Sequence, residues 1–477
     1  MNEAIVLYPT PAIGHLISMV ELGKLILTHR PSLTIHVLVA PPPYNAGSTT
    51  PYISSVSATI PSITFHRLPN VTLPPTISPH HETLIFELLR LNNPNVHQSL
   101  LSISERYSIH ALIMDFFCSQ ALSVATNLNI PGYYYFTSPA SCLAFFLYFP
   151  TLHRNTTKSF KDLNTLLEFP GAPPVPSSDV PKPVLDRSDK AYDYFLDCSI
   201  SAAKSAGILV NSFQSLESRA IGALSNGLCI PDGPTPPIYC VGPLTASTDN
   251  RSTGGNVTVP ECLKWLDLQP SQSVVFLCFG SLGLFSMEQL KEIAIGLEKS
   301  GIRFLWVVRN PPTQSHGLAT PIQSHEPDLD SLLPEGFLER TKERGLVVKS
   351  WAPQVAVLNH EAVGGFVTHC GWNSVLESIC AGVPMIAWPL YAEQRINRVS
   401  MVKEMRIAFP MNESENGFVS AAEVEKRVRE LMDSDEGKLI RERTLAMKNE
   451  AKTVLNEEEG SSRVALNNFF DSWKKAN

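Results

Sequence analysis

Short apolar runs alternate with helical hydrophobic patterns along the whole chain. In the first half, four runs predict strands, namely AIVLY (4–8), TIHVLVA (34–40), HALIMDFF (110–117) and GYYYFTS (132–138). The run HLISMVELGKLIL (15–27) has helical spacing. Because the strand candidates are apolar throughout, we expect them to be covered on both faces. Strands that alternate with helices predict parallel βαβ units.

The pattern restarts after a segment rich in Ser, Thr, Gly and Pro at 243–260, which predicts an interdomain linker. Strand candidates follow at 273–281, 303–309, 345–351, 364–370 and 384–390. The helix pattern SMEQLKEIAIGLEKSG begins at Ser286, a predicted N-cap, with Gln289 completing a capping box and Gly301 ending the helix. The tail from about 420 to 475 is charged and helical.

These patterns predict an α/β protein with two doubly wound, parallel-sheet domains. The expected parts are a first domain (1–242), a linker (243–260), a ligand-binding second domain (261–455) and a C-terminal helix (456–477). Ligands bind outside the carboxyl ends of parallel strands. We therefore expect the two domains to face each other across a cleft, with the chemistry just after their strands.

Composition and charge narrow the function classes. The 477 residues are too many for one core, and a net charge of −7 argues against a general nucleic-acid or anionic-membrane binder. The longest apolar run, Cys142–Phe149, is shorter than the roughly 20 residues of a membrane span. MNEAIVLYPT lacks the features of a targeting signal. The nine scattered cysteines show no metal-binding spacing and predict reduced thiols in a cytoplasmic protein, which we take to be a monomer.

Three segments of the second half place polar residues directly after strands. FGSLG (279–283) has small residues that let backbone N–H groups approach an anion, although many strand–helix turns are similar. In THCGWNS (368–374), Gly371 permits a tight turn, and Asn373 and Ser374 are predicted N-caps of a helix start that suits phosphate. WAPQ (351–354) offers a Trp face for a planar base. The structural alternatives are a capped helix and a core Trp.

His15 and Asp115 are the candidate catalytic pair of the first half. Each follows a predicted strand, and parallel strands bring their carboxyl ends to one rim, so the two side chains can meet. A carboxylate on one imidazole nitrogen fixes the tautomer, and the other nitrogen can then deprotonate a hydroxyl group. The alternative is that each residue only caps the helix that follows it.

The segment Trp351–Gln394 closely resembles the signature box of the plant secondary-product glycosyltransferases in family 1 of the UDP-sugar glycosyltransferases. The Gly14-His15 turn and LPEGF (333–337) extend the resemblance along the chain. It implies a GT-B fold with two Rossmann-like domains, in which the first (1–242) binds the acceptor and the C-terminal one holds most of a UDP-sugar. It also implies that the C-terminal helix (456–477) packs back on the first domain.

The resemblance also implies a role for individual donor-site residues. These roles are uracil stacking by Trp351, backbone bonds from Ala352, ribose contacts from Gln354 and Glu377, pyrophosphate contacts from Ser281, His369, Asn373 and Ser374, and sugar contacts from Trp372, Glu393 and Gln394. Gly371 is a further implied donor-site residue. A terminal Gln resembles glucose users, and some related glucuronosyltransferases carry Arg where this chain has Trp372. UDP-glucose is the implied co-substrate, with no further cofactor.

The implied reaction is inverting transfer of glucose to a hydroxyl of a small phenolic acceptor, such as a flavonoid, isoflavone or chalcone. His15 is the implied base, Asp115 orients it, and Phe116, Phe117 and Ser138 are candidate acceptor contacts. The Asp-x-Asp sequences at 328–330 and 433–435 are interpreted as solvated clusters, so no metal is expected. The alternatives are C-glucosylation, a non-catalytic UDP-sugar-binding protein, and a nicotinamide-dependent oxidoreductase, although no G-x-G-x-x-G follows a strand.

Overall fold

The computed structural model describes residues 2–43, 49–73, 80–246, 259–312 and 326–474. The chain forms two compact units. The first unit is Met1–Ala246 together with Thr453–Asn477, and the second unit is Ser247–Lys452. The first unit thus extends to residue 246 and the second ends at 452. Most of the segment interpreted as a linker, 247–258, lies outside the described residues.

The strands and helices of the first unit alternate along its length. Its strands within the described residues are β1 (Asn2–Tyr8), β2 (Thr34–Val39), β3 (Ile63–Arg67), β4 (Tyr107–Asp115), β5 (Gly132–Phe136), β6 (Leu166–Leu167), β7 (Val175–Pro176), β8 (Gly207–Val210) and β9 (Ile238–Cys240). Its helices before residue 246 are α1 (Ile13–His29), α2 (Thr50–Thr59), α3 (His81–Ser104), α4 (Leu122–Asn127), α5 (Ala140–Asn155), α6 (Lys190–Ala202) and α7 (Ser218–Ser225). Short 3-10 helices span Phe116–Ala121, Phe160–Asp162, Ser177–Asp179 and Lys182–Val184.

Seven of these strands form one parallel sheet in the order β3-β2-β1-β4-β5-β8-β9. The order runs outward in both directions from β1 and β4, as in a doubly wound fold. Residues 4–8 of β1 are fully buried, because helices cover both faces of the sheet. The predicted doubly wound sheet is therefore confirmed for this half of the chain.

The predicted strand 110–117 is too long at its carboxyl end. β4 ends at Asp115, and residues 116–121 form a 3-10 helix. The Asp115 carboxylate accepts a hydrogen bond from the backbone N–H of Phe117 and caps this helix. The apolar pair Phe116-Phe117 concealed the end of the strand, because hydrophobicity alone does not distinguish a strand from a buried turn.

The second unit repeats the alternation. Its strands are β10 (Val274–Cys278), β11 (Arg303–Val308), β12 (Gly345–Lys349), β13 (Val363–Thr368), β14 (Met385–Ala387) and β15 (Ala408–Pro410). The helices are α8 (Glu261–Leu266), α9 (Met287–Ser300), α10 (Leu329–Leu332), α11 (Phe337–Thr341), α12 (Gln354–Leu358), α13 (Trp372–Ala381), α14 (Gln394–Val399), α15 (Ala421–Asp433) and most of α16 (Asp435–Asn456), with a π-helical turn at Ser400–Glu404. The last helix, α17 (Ser461–Lys474), belongs to the first unit. The parallel sheet has the order β12-β11-β10-β13-β14-β15, which confirms the second predicted domain type.

The two ends of α9 follow the sequence prediction, but its capping box does not. The Ser286 hydroxyl accepts from the N–H of Gln289 at 3.2 Å, and Gly301 ends the helix with a φ of 71°. The Gln289 side chain instead exchanges hydrogen bonds with the backbone of Val419, at 2.8 and 2.9 Å. The Gln289 amide, which the sequence pattern predicted to bond at the N-terminus of α9, thus bonds to a segment far away in the sequence.

Helix α17 packs in the first unit. Its buried residues Phe469, Phe470 and Trp473 join the core that lies beneath β1 and β2. The hydroxyl of Ser472 lies 2.8 Å from the Tyr133 hydroxyl. The chain therefore returns to the first unit after completing the second. Among the described residues, no helix has both the length and the apolar character needed to cross a membrane.

Candidate functional site

The His15–Asp115 pair forms at the carboxyl edge of the first sheet. β1 and β4 are parallel neighbours, with Tyr8 opposite Met114 at their ends. Asp115 is the last residue of β4, and His15 lies in the first turn of α1, which follows β1. Nδ1 of His15 is 2.7 Å from Oδ2 of Asp115. The structure thus brings together the two residues that the sequence suggested.

Thr10 is a third member of this arrangement that sequence reasoning missed. Its hydroxyl donates to Oδ1 of Asp115 at 2.7 Å, and the N–H of Phe117 donates to the same oxygen at 3.2 Å. The Asp115 side chain is only 1% exposed. The available signal was the position of Thr10, which follows β1 and therefore lies on the same rim as Asp115.

This geometry prepares the imidazole for proton transfer. An ionised carboxylate only accepts hydrogen bonds, so Nδ1 of His15 must donate to it, and the neutral ring then carries its lone pair on Nε2. The His15 side chain is 29% exposed, whereas its carboxylate partner is buried. A fixed, partly exposed imidazole backed by a buried carboxylate can act as a general base.

The predicted acceptor contacts differ in their distance from His15. The ring of Phe117 meets the imidazole edge to face, with 5.8 Å between ring centroids. Phe116 is buried and packs instead against Phe136 and Phe146. Ser138 is partly buried and lies two residues beyond the end of β5. Of these three residues, Phe117 is the one in ring contact with the candidate base.

Two further aromatic side chains, Phe86 and Phe195, pack against Phe117 and were missed in the sequence. We call Phe86, Phe117 and Phe195 the aromatic wall beside His15. Phe86 of α3 lies 5.2 Å from Phe117, and Phe195 of α6 lies 5.6 Å from it, measured between ring centroids. Both residues belong to ordinary amphipathic helices, so their sequence pattern indicates only a core face. The cluster gives the surroundings of His15 an aromatic character that suits planar rings.

In the second unit, His369 lies between two turns that follow neighbouring strands. Gly280 follows β10 with a φ of 71°, and Gly371 follows β13. A Cβ at Gly280 or Gly371 would lie 2.6 or 2.4 Å from Nε2 of His369, so both positions require glycine. Burial lowers the pKa of His369 to about 4, so its ring is neutral near pH 7. Its buried Nδ1 has no hydrogen-bond partner among the described residues.

Helix α13 begins two to three residues earlier than the predicted caps imply. Its N-cap is Gly371, which makes no side-chain cap, and Trp372 is its first residue. Asn373 and Ser374 are therefore residues of the first turn and not N-caps, because extended Gly371 already starts the helix. The first N–H groups of a helix lack acceptors within it and attract anions. His369 and this helix start lie on the same edge of the sheet.

Trp351 and Gln354 lie at the carboxyl end of β12. The Trp351 side chain is 52% exposed, which leaves the indole of this large residue open to a planar ligand. Ala352 is buried, and Pro353 precedes α12. Nε2 of Gln354 donates to Oγ of Ser374 at 2.9 Å and to Oε2 of Glu377 at 2.7 Å. Side chains from α12 and α13 are thus joined next to the exposed Trp.

Two of the predicted sugar contacts, Glu393 and Gln394, lie at the start of α14, and the third, Trp372, begins α13. Gln394 is 2% exposed, and its Oε1 accepts from the N–H groups of Leu390 and Tyr391, both at 2.9 Å. Glu393 immediately precedes the helix and accepts from the Asn397 amide at 3.2 Å. Trp372 is nearly fully buried. These contacts fix the loop after β14, so its polar groups have defined positions.

Asn397 is another residue that the sequence did not reveal. It is fully buried, and its Nδ2 donates to the carbonyl of Cys370 at 2.9 Å as well as to Glu393. Cys370 has a φ of 66°, so this bond holds a left-handed turn directly before α13. Burial raises the pKa of the Cys370 thiol, in keeping with a packed residue.

The described residues contain no cluster of three or more His, Cys, Asp or Glu side chains suited to a metal ion.

A GT-B glycosyltransferase consists of two Rossmann-like units. In this chain, the first unit carries the His–Asp pair and the second carries a helix start suited to anions. Residues 260–440 match the family described as UDP-glucoronosyl and UDP-glucosyl transferase. UDP-glycosyltransferase 88B1 of Stevia rebaudiana is 53% identical over 472 residues, which cover 99% of both chains. Anthocyanidin 5,3-O-glucosyltransferase of a Rosa hybrid cultivar is 51% identical over 488 residues and 99% of both chains. The chain belongs to this family of plant UDP-glycosyltransferases.

A solved structure confirms the fold assignment. The structure of Phytolacca americana UGT2, complexed with UDP-2fluoro-glucose and pterostilbene, is similar with a TM-score of 0.86 and 39% identity, covering 99% of this chain and all of that one. The predicted GT-B fold, the family and the glycosyltransferase activity are therefore confirmed. The oxidoreductase alternative is excluded by this family membership.

Proposed function

We propose that this enzyme transfers glucose from UDP-glucose to a hydroxyl of a small phenolic acceptor, such as a flavonoid, isoflavone or chalcone. The rose relative is named as an anthocyanidin 5,3-O-glucosyltransferase, and the Phytolacca americana structure is a complex with UDP-2fluoro-glucose and pterostilbene. The aromatic side chains around His15 support the same acceptor class. The observation that carries the proposal is the His15–Asp115 pair, with Thr10 as its second support.

The proposed reaction is a single displacement with inversion. Nε2 of His15 takes the proton of the acceptor hydroxyl, and the oxygen attacks the anomeric carbon of glucose. The bond from that carbon to the phosphate oxygen breaks, and UDP leaves with the electron pair. The imidazolium that forms is stabilised by Asp115, which lies 2.7 Å from Nδ1. No covalent glycosyl-enzyme and no metal ion takes part in this proposal.

The proposed donor contacts follow the edge of the second sheet. Trp351 stacks on uracil, and Ala352 binds its edge through the backbone. Gln354 and Glu377 contact the ribose. The pyrophosphate is bound by Ser281, His369 and the start of α13, with Gly371, Asn373 and Ser374. Neutral His369 can donate one ring N–H to the phosphate oxygens, which its partnerless buried nitrogen supports.

Gln394 is the proposed reader of glucose, together with Trp372 and Glu393. Because its Oε1 is committed to two backbone N–H groups, the amide N–H2 is the part of Gln394 that can donate to a sugar hydroxyl. This commitment distinguishes the amide oxygen from the nitrogen, which hydrogen-bond geometry alone often leaves ambiguous. A fixed donor at this position favours one hydroxyl configuration over its epimer.

The test is a panel of phenolic acceptors offered with UDP-glucose, UDP-galactose or UDP-glucuronic acid. Mass spectrometry should show one hexose added, with UDP-glucose used fastest, and proton NMR should show a β-glucoside from the α-configured donor. UDP-glucose binding without turnover on the whole panel would favour the non-catalytic alternative. A product that resists acid hydrolysis would favour C-glucosylation. The cytoplasmic location and the monomeric state stay predictions.

Metal removal tests the same reaction from another side. Because the proposal assigns diphosphate stabilisation to protein groups, dialysis against EDTA should leave the initial rate unchanged within about twofold. Re-addition of Mg²⁺ or Mn²⁺ should then have no further effect. A rate that collapses with EDTA and recovers with Mg²⁺ would contradict the metal-independent mechanism.

A further inference from the structure

Arg309 follows β11 and extends to the loop after the neighbouring strand β10. Its Nη1 donates to the carbonyl of Gly280 at 3.2 Å and also to the carbonyl of Ser281. The residue is partly buried, and burial lowers the pKa of its guanidinium, which nevertheless stays charged at neutral pH. One cation thus binds two consecutive carbonyls of the loop that carries Ser281.

The charge of Arg309 is not balanced by a carboxylate in the described part of the chain. None of the ion pairs formed there involves this guanidinium, and the titratable groups that act on it are Cys278 and Tyr391. Burial raises the pKa of Tyr391, so that hydroxyl is neutral. A partly buried cation that has only carbonyl partners is costly to keep. Such a cost is offset when an anion binds nearby.

Peptide geometry links this cation to the other side of the loop. In a trans peptide, the carbonyl and the following N–H point in opposite directions. A guanidinium bound to the Gly280 carbonyl therefore directs the N–H of Ser281 away from itself, and also polarises that N–H. The next N–H, that of Leu282, bonds to the Tyr391 hydroxyl. The Ser281 N–H is then the donor that this part of the loop can offer to a ligand.

The same loop packs against the candidate phosphate ligand His369. Gly280 is so close that a Cβ there would lie 2.6 Å from Nε2 of His369. β10 lies between β11 and β13 in the sheet, so the residues after three adjacent strands meet at one place. That place contains the buried, partnerless Nδ1 of His369 and the start of α13.

We infer that Arg309 is a positioning residue of the donor site, which fixes the Gly280–Ser281 loop so that the Ser281 N–H binds the diphosphate of the UDP-sugar. The inference rests on the proposed function, because it requires a diphosphate ligand at this edge. Arg309 acts through the peptide and not by touching the sugar. Substitution of Arg309 should therefore weaken the binding of ligands that contain a diphosphate and leave the affinity for ligands without one unchanged.

The test is calorimetric binding of UDP and of uridine to the full-length protein and to Arg309→Met. Loss of one charge-assisted hydrogen bond should weaken UDP binding about 10-fold or more, while uridine binding stays within about twofold. Arg309→Lys should restore part of the UDP affinity, because an ammonium group can still donate to a carbonyl. The matched control is Arg303→Met, which removes the same charge from the other end of β11, where Nε bonds to Gln269.

Each result decides the inference. A selective loss of UDP affinity in Arg309→Met, absent from Arg303→Met, supports it. Unchanged affinity for both ligands overturns it, and so does an equal loss for UDP and uridine, which would mean a general structural role. A wild-type protein that binds neither ligand would instead remove the proposed function itself.

Discussion

The carboxylate of Asp115 divides its two oxygens between two tasks. Oδ2 pairs with His15, while Oδ1 accepts from Thr10 and from the N–H of Phe117. The bonds to Oδ1 prevent the buried carboxylate from rotating, so the imidazole keeps one orientation. Thr10 therefore contributes, through Asp115, to the orientation of His15, the proposed base.

We predict that Thr10→Val lowers kcat about 10-fold, because removing one hydrogen bond to a charged group costs about 1.5 kcal/mol or more. KM for UDP-glucose should not change, because Thr10 belongs to the first unit. Thr10→Ser keeps the hydroxyl and should retain most of the activity. Steady-state kinetics of the three proteins measure this, and equal kcat values for Val and wild type would show that Asp115 holds the base unaided.

Gly280 allows a second test at the level of one residue. It has a φ of 71° and lies against His369, whereas Gly301 has the same φ with open space around the position of a Cβ. Alanine at either position meets the same backbone penalty of about 1 kcal/mol. Only Gly280→Ala should also displace the imidazole and weaken UDP binding about 10-fold or more. If calorimetry finds the same UDP affinity in both variants, His369 does not bind the nucleotide.

Single residues also show where sequence reasoning ends. His15 and Asp115 could be predicted because each follows a strand, and position along a parallel sheet is readable from hydrophobic runs. The hydrogen-bond partners of Thr10, Arg309 and Asn397 could not be predicted, since they depend on the atoms that these side chains meet in three dimensions. An Arg after a strand, for example, is an ordinary surface residue until its carbonyl partners are known.

At the level of elements, a carboxylate joins α3 to α6 behind the aromatic wall. Glu87 of α3 accepts from Arg90 on its own helix and from Lys190 and Tyr194 on α6. The ring of Phe86 stacks on Tyr194 with centroids 5.0 Å apart. The spacing of the two helices that carry Phe86 and Phe195 therefore depends on one ionised side chain.

We predict that Glu87→Gln is less stable than wild type by about 2 kcal/mol at pH 7, and that the difference shrinks in acid. Burial alone would raise the pKa of Glu87, but hydrogen bonds from Lys190, Tyr194 and Arg90 outweigh it and lower the pKa from 4.5 to about 2. A lowered folded-state pKa gives stability that is complete above the unfolded value, near 4.5, and is lost as the pH falls toward 2.

Urea unfolding at pH 7 and at pH 3 would measure this difference. The control is Glu105→Gln at the exposed C-terminal end of α3, which should unfold like wild type at both pH values. A constant difference between Glu87→Gln and wild type across this range would show that ionisation of Glu87 does not hold the two helices together.

Some features of the strands and helices could be predicted from the local sequence pattern, and others could not. The parallel, doubly wound character of both sheets was predicted from apolar runs that alternate with helices. The strands β3, β8, β9 and β15 were not among the predicted runs, and the strand order came only from the structure. The capping box on α9 was wrong because the amide of Gln289 bonds to Val419, 130 positions away. The predicted strand 110–117 extended too far, because β4 ends at Asp115, which caps a 3-10 helix. In both cases a specific side-chain hydrogen bond overrides the pattern.

At the scale of the whole molecule, the last helix, α17, belongs to the first unit and forms part of its core. Phe469 is fully buried and meets the rings of Tyr133 and Tyr239, at 4.9 and 5.6 Å between centroids. The last helix thus completes the core of the sheet that carries His15 and Asp115. The residues proposed to bind the UDP-sugar, by contrast, all belong to the second unit.

We predict that Phe469→Ala destabilises the first unit by about 3–5 kcal/mol, the usual cost of removing a buried aromatic ring. Thermal unfolding should show the loss, while calorimetric UDP affinity at low temperature stays within about twofold of wild type. Asn468→Ala changes an exposed neighbour on the same helix and is the control. An unaltered melting curve for Phe469→Ala would mean that α17 does not stabilise this core.

The central claim is that His15 removes the proton of the acceptor hydroxyl. The most direct test measures, on one preparation of His15→Ala, the rate of glucoside formation from UDP-glucose and the affinity for UDP. Loss of a general base should lower the rate by about 10²–10⁴-fold, while UDP affinity stays within about twofold of wild type. Glucoside formation by His15→Ala at a rate within a few-fold of wild type would contradict the account.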